Sequence, residues 1–389
     1  MAENVEEIKN ENDKKKNQIG VGTIVIIIVM IIIAILIYKF IITDQEYVSY
    51  KNIMSVERDD NGSTTYISYG GDKIIKYSRD GITAINSDGS KQWTASYDMK
   101  NPKAVTCGDY VAVADIGNKT LVIYDGNGDA KEVEILNPIS MVGVSSHGIA
   151  AVVLEDDTNN YIQICDGDTL YTEIKTRIKE DGIPVDIAYS PDGKKLITSY
   201  IKINSDTTQS MVTFYNFSEV GKNYDSDIVM ASDYGQSIVP EVEFINDNTV
   251  GLFADNKVQL YEMKEIPSLI YETPELTGEI KSIVYNDEYV ALVMKSEGDE
   301  KNTLHIYSTQ GKELATSTID MEYENITISG EDIIAYSERE IMIITKNGNN
   351  RLHKTTDKSI SYILPYKNKQ EYYLIDEDNI NIVKLTKDN

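Results

Sequence analysis

VDIAYSPDGKKLITSY, residues 185–200, reads as two β-strands and the turn that joins them. Apolar and polar side chains alternate on either side of Ser190-Pro191-Asp192-Gly193, where Pro191 presets φ for a turn and Gly193 accepts the positive φ that such a turn requires. The same slot recurs as AVTCGDYVAVA, VEFINDNTVGLF, SIVYNDEYVALV and ITISGEDIIAYS. Each pair leads into a third apolar run that ends in a polar, often Gly-containing turn. Eight copies of this third run stand in the chain: GITAINSDG (81–89), LVIYDGNG (121–128), IQICDGDT (162–169), VTFYNFSE (212–219), VQLYEMKE (258–265), LHIYSTQG (304–311), IMIITKNG (341–348) and INIVKLTK (380–387). A fourth run follows, as in KQWTASYD (91–98) or KELATSTID (312–320).

Four antiparallel strands repeated along a chain describe propeller blades. Units beginning near Thr64, Asn101, Pro138, Gly182, Ser237, Gly278, Tyr323 and Ser359 are spaced by 37, 37, 44, 55, 41, 45 and 36 residues. These lengths scatter around the roughly 40 to 45 residues of a blade. The spacing predicts an all-β, eight-bladed β-propeller over residues 43–389, with seven blades as the alternative because the long unit Gly182–Gln236 could hide a miscounted strand. Its extra length falls in polar loops around Asn204–Gln209 and Ser218–Ser226. The last unit stops after INIVKLTK without a fourth strand, whereas YKNIMSVE (50–57) is a strand with no three before it. Placed as the outer strand of the eighth sheet, it closes the ring and removes an exposed edge.

Upstream lies IGVGTIVIIIVMIIIAILIYKFII, residues 19–42, with no charge from Ile19 to Ile37. Such a run predicts a transmembrane helix, since about 20 apolar residues cross a hydrocarbon core. Lys9, Lys14, Lys15 and Lys16 precede it, while Lys51 alone follows within fifteen residues. This bias predicts a disordered cytoplasmic tail (1–18), an uncleaved signal anchor (19–42) and an extracellular propeller. YKFIITDQEY offers no small-x-small cleavage site.

The formal charge of −26 belongs entirely to residues beyond 42, because the first 42 carry five acidic and five basic side chains. So acidic a surface repels phosphate, which excludes nucleic acid as a partner. Cys107 and Cys165, the two cysteines, both fall within predicted strands and read as buried free thiols. The three histidines, His147, His305 and His353, lie in different units without metal-ligand spacing.

The carboxylate runs Asp59-Asp60, Glu155-Asp156-Asp157 and Asp376-Glu377-Asp378 sit at strand ends, where turn formation accounts for Asp, and none matches a calcium loop. Gly143-Val144-Ser145-Ser146-His147-Gly148 lacks the G-x-S-x-G pattern of a nucleophile elbow and reads as a blade turn. Tyr is abundant, with 27 against 5 Phe, and Tyr124, Tyr215, Tyr261 and Tyr307 end third strands. Their rings are expected to pack between blades with the hydroxyls reaching the rim.

SPDGKKLITSY resembles the short repeat of TolB-like and WD-like propellers. INSDGSKQW, with Asp88, Gly89 and Trp93, resembles the repeat of quinoprotein-type propellers, including the non-enzymatic outer-membrane assembly factor BamB. The whole layout is similar to a Gram-positive family classed as a domain of unknown function, in which one membrane helix carries an extracellular propeller. Quinoprotein enzymes repeat a docking Trp in most blades, whereas Trp93 is the only Trp here, so no cofactor is expected. The reading that follows is a non-catalytic interaction scaffold of the cell envelope with protein partners. The alternatives are a receptor for wall glycan or another small ligand in the central channel, and a hydrolase or lyase using scattered carboxylates.

Overall fold

The computed structural model describes residues 25–33, 45–60, 63–167, 169–203, 207–295, 298 and 301–388. Its strands form eight four-stranded antiparallel sheets. Blades 1 to 7 each take four consecutive strands, over 65–96, 102–134, 139–177, 183–235, 241–272, 279–319 and 325–355. All eight predicted third runs occupy the third position of their sheet. The long unit is one blade with no fifth strand among the described residues: its second loop folds into the 3₁₀ turns Gly221–Asn223 and Asp225–Asp227, while residues 204–206 of the first loop lie outside the described residues.

Blade 8 is made from both ends of the chain. Ser49–Glu57 pairs antiparallel with Asn379–Thr386, outside Glu371–Asp376 and Ile360–Pro365. Arg58 continues this join: its amide donates to the Asp378 carbonyl (2.8 Å) and its guanidinium to the Asp376 carbonyl (2.7 Å) and Asp60 (2.6 Å). Asp60 in turn accepts from the Tyr66 hydroxyl of blade 1. One arginine therefore links the closing sheet to the first.

Why these strands are so uniformly apolar follows from burial on two faces. In the second strand of blade 2 (Tyr110–Asp115), Val111 and Val113 pack toward blade 1 while Ala112 and Ala114 pack toward blade 3. Eight apolar clusters result, one at each seam between neighbouring blades.

A second device repeats at the rim. In blades 1, 2, 6 and 7 the turn after the third strand carries a glycine, and a side chain from the outer strand of the preceding blade lies on it. Trp93 of blade 1 covers Gly128 of blade 2, Tyr271 of blade 5 covers Gly311 of blade 6, and Ala315 of blade 6 covers Gly348 of blade 7. Val56 and Met54, from the closing strand, cover Gly89 of blade 1 in the same way. A methyl group on Gly128 would stand 2.6 Å from Trp93 Cγ, and one on Gly311 would stand 2.1 Å from Tyr271 Cγ. Trp93 also stacks on Tyr124 with centroids 5.4 Å apart.

The rings of all four tyrosines ending third strands pack at seams between blades. Tyr124 meets Trp93, Tyr261 meets Phe214 and Tyr307 meets Tyr271, each across a seam. Tyr215 packs against blade 3 in the same way, but its hydroxyl stays buried, sharing a hydrogen bond of 3.1 Å with Tyr200 of its own blade. Both cysteines are free, but only Cys165 is buried, its thiol pushed up to about 12 by desolvation. Cys107 ends an innermost strand and stays half exposed, so the expectation of two buried thiols holds for one.

Of the predicted transmembrane stretch, residues 25–33 are described and are helical, with exposed apolar side chains. The described part alone spans about 14 Å. Among the described residues no helix is long and apolar enough to cross a membrane. The remainder of 19–42 and the tail 1–18 lie outside the described residues.

Gly128 combines the rim contact with a φ of +86°, whereas Gly117, at +81°, has nothing within 4 Å of an added methyl. Gly117→Ala should cost about 1–2 kcal/mol for backbone conformation alone, and Gly128→Ala about 2–4 kcal/mol because overpacking against Trp93 adds to it. Equal losses in urea unfolding would show that the Trp93 contact contributes nothing.

Candidate functional site

The first strands of the blades are innermost, and neighbouring first strands contact one another around the ring centre. Most carry apolar or small side chains. Blades 4 and 5 depart from this. Ile183–Tyr189 contributes Asp186, and Glu241–Asn246 contributes Glu241 and Glu243 at alternate positions, hence on one face of the strand. The amide of Val242, between the two glutamates, donates to Asp186 Oδ2 at 2.8 Å, so three carboxylates gather about one inter-blade hydrogen bond.

Burial dominates their electrostatics. Glu243 is pushed up to about 8 by desolvation, with repulsion from Asp186 and Glu241 adding and Lys103 opposing. The Tyr285 hydroxyl, from the first strand of blade 6, lies within hydrogen-bonding reach of Glu243 and favours its charged form. Glu241 is pushed up to about 7 by desolvation and then by Asp186. Asp186 is raised by burial, against the Val242 and Ile187 amides and Lys103, which lower it. These groups are half-buried by surface yet ringed by protein, the situation of side chains facing a narrow channel. Chemically, such a face can hold and release protons near neutral pH and can meet cationic or hydroxyl-bearing groups. Among the described residues no cluster of His, Cys, Asp and Glu is arranged to hold a metal ion.

The sequence motifs fall elsewhere, in the frame. Ser190, Pro191, Asp192 and Gly193 form the turn between the first two strands of blade 4: Ser190 Oγ donates to Asp192 (2.6 Å) and accepts from the Lys195 amide (2.9 Å). The Pro191 carbonyl accepts from the amide and hydroxyl of Ser146, both at 2.8 Å, so this turn docks on the Gly143–Gly148 turn of blade 3. Lys195, fully buried, donates to the Asp247 carbonyl of blade 5 at 2.5 Å. Asp88 and Gly89 shape the rim turn of blade 1, where Asp88 accepts from the Ser90 amide at 2.9 Å. Trp93 is the rim contact described above.

The histidines are not brought together. His147 sits in the first turn of blade 3, His305 beside Glu313 (3.4 Å) in blade 6, and His353 beside Glu340 (2.7 Å) in blade 7. The carboxylate runs serve turns and ion pairs. Asp156 accepts from the Thr158 and Asn159 amides (2.7 and 2.6 Å), Asp376 from those of Asp378 and Asn379 (2.9 and 2.7 Å), and Asp59 is held at about 2 by Lys76 and Lys91.

With the ring, its closure and its channel in view, the comparisons decide the family. The chain belongs to a family of unknown function (DUF5711), whose model matches residues 43–385. The match spans the propeller. No protein of curated function matches the sequence. Among solved structures, BamB from Moraxella catarrhalis is 11% identical over 87% of this chain and 100% of its own, with a TM-score of 0.53. KlAtg21, in complex with the coiled coil of AgAtg16, is 16% identical over 76% of this chain and 100% of its own, with a TM-score of 0.51. At these identities the likeness is one of fold. DUF5711 thus gives this chain a family and a propeller, without an activity.

The sign of the pH effect is fixed by the raised carboxylates. Glu241, Glu243 and Asp186 bind protons more tightly folded than unfolded; for the two glutamates the stability is intact below about pH 4.5 and is lost as pH rises through about 7 to 8, and Asp186 acts in the same direction. Glu243→Gln should therefore leave the unfolding free energy measured in urea nearly unchanged at pH 4.5 and raise it at pH 8.5 by about 1–3 kcal/mol, after allowing for solvent in the channel. Parallel pH profiles for variant and parent would refute the arrangement.

Proposed function

We propose that this DUF5711 chain is a non-catalytic protein-interaction scaffold of the cell envelope. It is anchored by a single membrane span at residues 19–42, with the N-terminus in the cytoplasm and the propeller outside. The observation that carries the interaction role is the exposure of large apolar side chains on outer strands and their connections, held by a rigid frame: Leu136, Leu170 and Tyr171 on blades 2 and 3, and Ile266, Leu269 and Ile270 on blade 5. The uncharged run Ile19–Ile37 and the lysines before it support the anchor and its orientation. KlAtg21, a propeller seen with a coiled coil, fits the same use of the fold. The turn carboxylates that a hydrolase or lyase would call on are engaged in capping backbone amides or pairing with lysines.

A second reading, a receptor for wall glycan or another small ligand, draws on the channel face of Asp186, Glu241 and Glu243. Titration calorimetry with soluble wall fragments separates the two. The scaffold reading expects no saturable heat, and binding that Glu243→Gln abolishes would favour the receptor.

For topology and partnership together, protease added outside intact cells should degrade the propeller, and cross-linking in those cells should join it to a defined envelope protein. Full protection of the propeller would reverse the orientation, and cross-links to nothing specific would remove the scaffold role.

A further inference from the structure

We propose that the cleft between the outer strands of blades 2 and 3 is the docking site for a protein segment bearing aliphatic or aromatic side chains flanked by Lys or Arg. This rests on the scaffold reading and names the surface and the chemistry of its partner.

The cleft follows from strand alternation. Ala130–Glu134 of blade 2 turns Val133 toward blade 3, and Asn159–Asp166 of blade 3 turns Cys165 back toward it, the two meeting in one apolar cluster. Outside that floor the walls open into a cavity of about 470 Å³ lined by Val133, Glu134, Leu136, Gln163, Cys165 and Leu170, among others. That size lies within the range of roughly 300–1,000 Å³ typical of binding pockets. The fourth strand of blade 3, Thr169–Arg177, is bulged here: Leu170 pairs with Cys165 and Thr172 with Ile164, so Tyr171 is an extra residue and swings outward. Leu136, Leu170 and Tyr171 are 68%, 53% and 58% exposed, a grouping that a solitary propeller would be expected to blunt with charge.

The rim selects the partner's sign. Glu134, on the cleft wall, has no ion pair among the described residues, and Glu173 accepts only the Gln163 amide, at 2.6 Å. The nearby cations are already occupied, Lys131 with Asp166 at 2.6 Å and Lys175 over the Tyr161 ring at 5.3 Å. On a chain of charge −26, an apolar cleft with unspent carboxylates complements apolar anchors with basic neighbours. Both bounding strands are the outermost of their sheets, so each also offers a free backbone edge to a peptide, which a small molecule would not use.

The test has two arms on the full-length chain. In the first, peptides are selected from a random displayed library and measured by fluorescence anisotropy. Selected sequences should be rich in Leu, Phe or Trp with Lys or Arg, and should lose at least tenfold in affinity against a Leu136→Asp/Leu170→Asp double variant. They should lose at least threefold against Glu134→Lys/Glu173→Lys, with thermal midpoints unchanged in both. Acidic peptides, or peptides that bind all variants equally, would overturn the proposal.

In the second arm, a photo-cross-linking residue replaces Leu136 or, on a remote surface, Glu322, in living cells. Adducts from position 136 that map to an apolar segment with basic flanks support the site. Adducts from 322 alone, or from 136 to a second copy of this chain, overturn it while leaving a scaffold in place. Adducts from neither position overturn both.

Discussion

A side chain seated on a turn glycine of the next blade fixes how neighbouring blades sit at four of the eight seams of this ring. Hydrogen bonds hold each four-stranded sheet together internally, but nothing in that ladder says where the neighbouring sheet should lie. Apolar clusters supply attraction at every seam, and attraction without shape would leave the blades free to slide. Trp93 over Gly128, Tyr271 over Gly311 and Val56 over Gly89 add the shape, because no residue larger than glycine fits beneath them. The last of these makes the closing strand a full member of the repeat. Ser49–Glu57 pairs with the final strand as an outer strand and docks on blade 1 as the outer strands of blades 1, 5 and 6 dock on their successors.

Much of this was legible in the sequence, for reasons that particular residues make plain. Third strands announce themselves because Φ-x-Φ runs end in turns whose Asp and Gly have local work to do, as Asp125 does when its carboxylate accepts the Asn127 and Asp129 amides at 2.8 and 3.0 Å. Eight such endings count the blades directly. The sequence reading does not reach the rim docking, although part of its signal stands there: a glycine three or four residues past the third strands of blades 1, 2, 6 and 7, and a bulky Trp93 or Tyr271 in the fourth strand of the blade before. Reading it needed the relation between successive blades, which no single repeat contains.

The channel carboxylates were hidden for a different reason. Asp, Asn and Glu are so frequent at strand ends here that acidic residues lose value as markers. Asp186, Glu241 and Glu243 stand apart because they occur inside the adjacent first strands of blades 4 and 5 and meet about one inter-blade hydrogen bond. A carboxylate inside an innermost strand faces the channel, and three of them on adjacent strands make one acidic wall. This wall and the paired surface carboxylates act in opposite directions. Asp59, held low by its lysines, stabilises the fold above its own titration, whereas the channel groups weaken it toward alkaline pH.

The central claim is that the first strand of the propeller is a structural strand of the last blade. Amide hydrogen exchange measures it directly. If the ring is closed as described, backbone amides of Ser49–Glu57 that face Asn379–Thr386 exchange as slowly as those of the neighbouring pair Glu371–Asp376 and Asn379–Thr386. Exchange of the 49–57 amides within seconds, while the rest of blade 8 stays protected, would contradict the account.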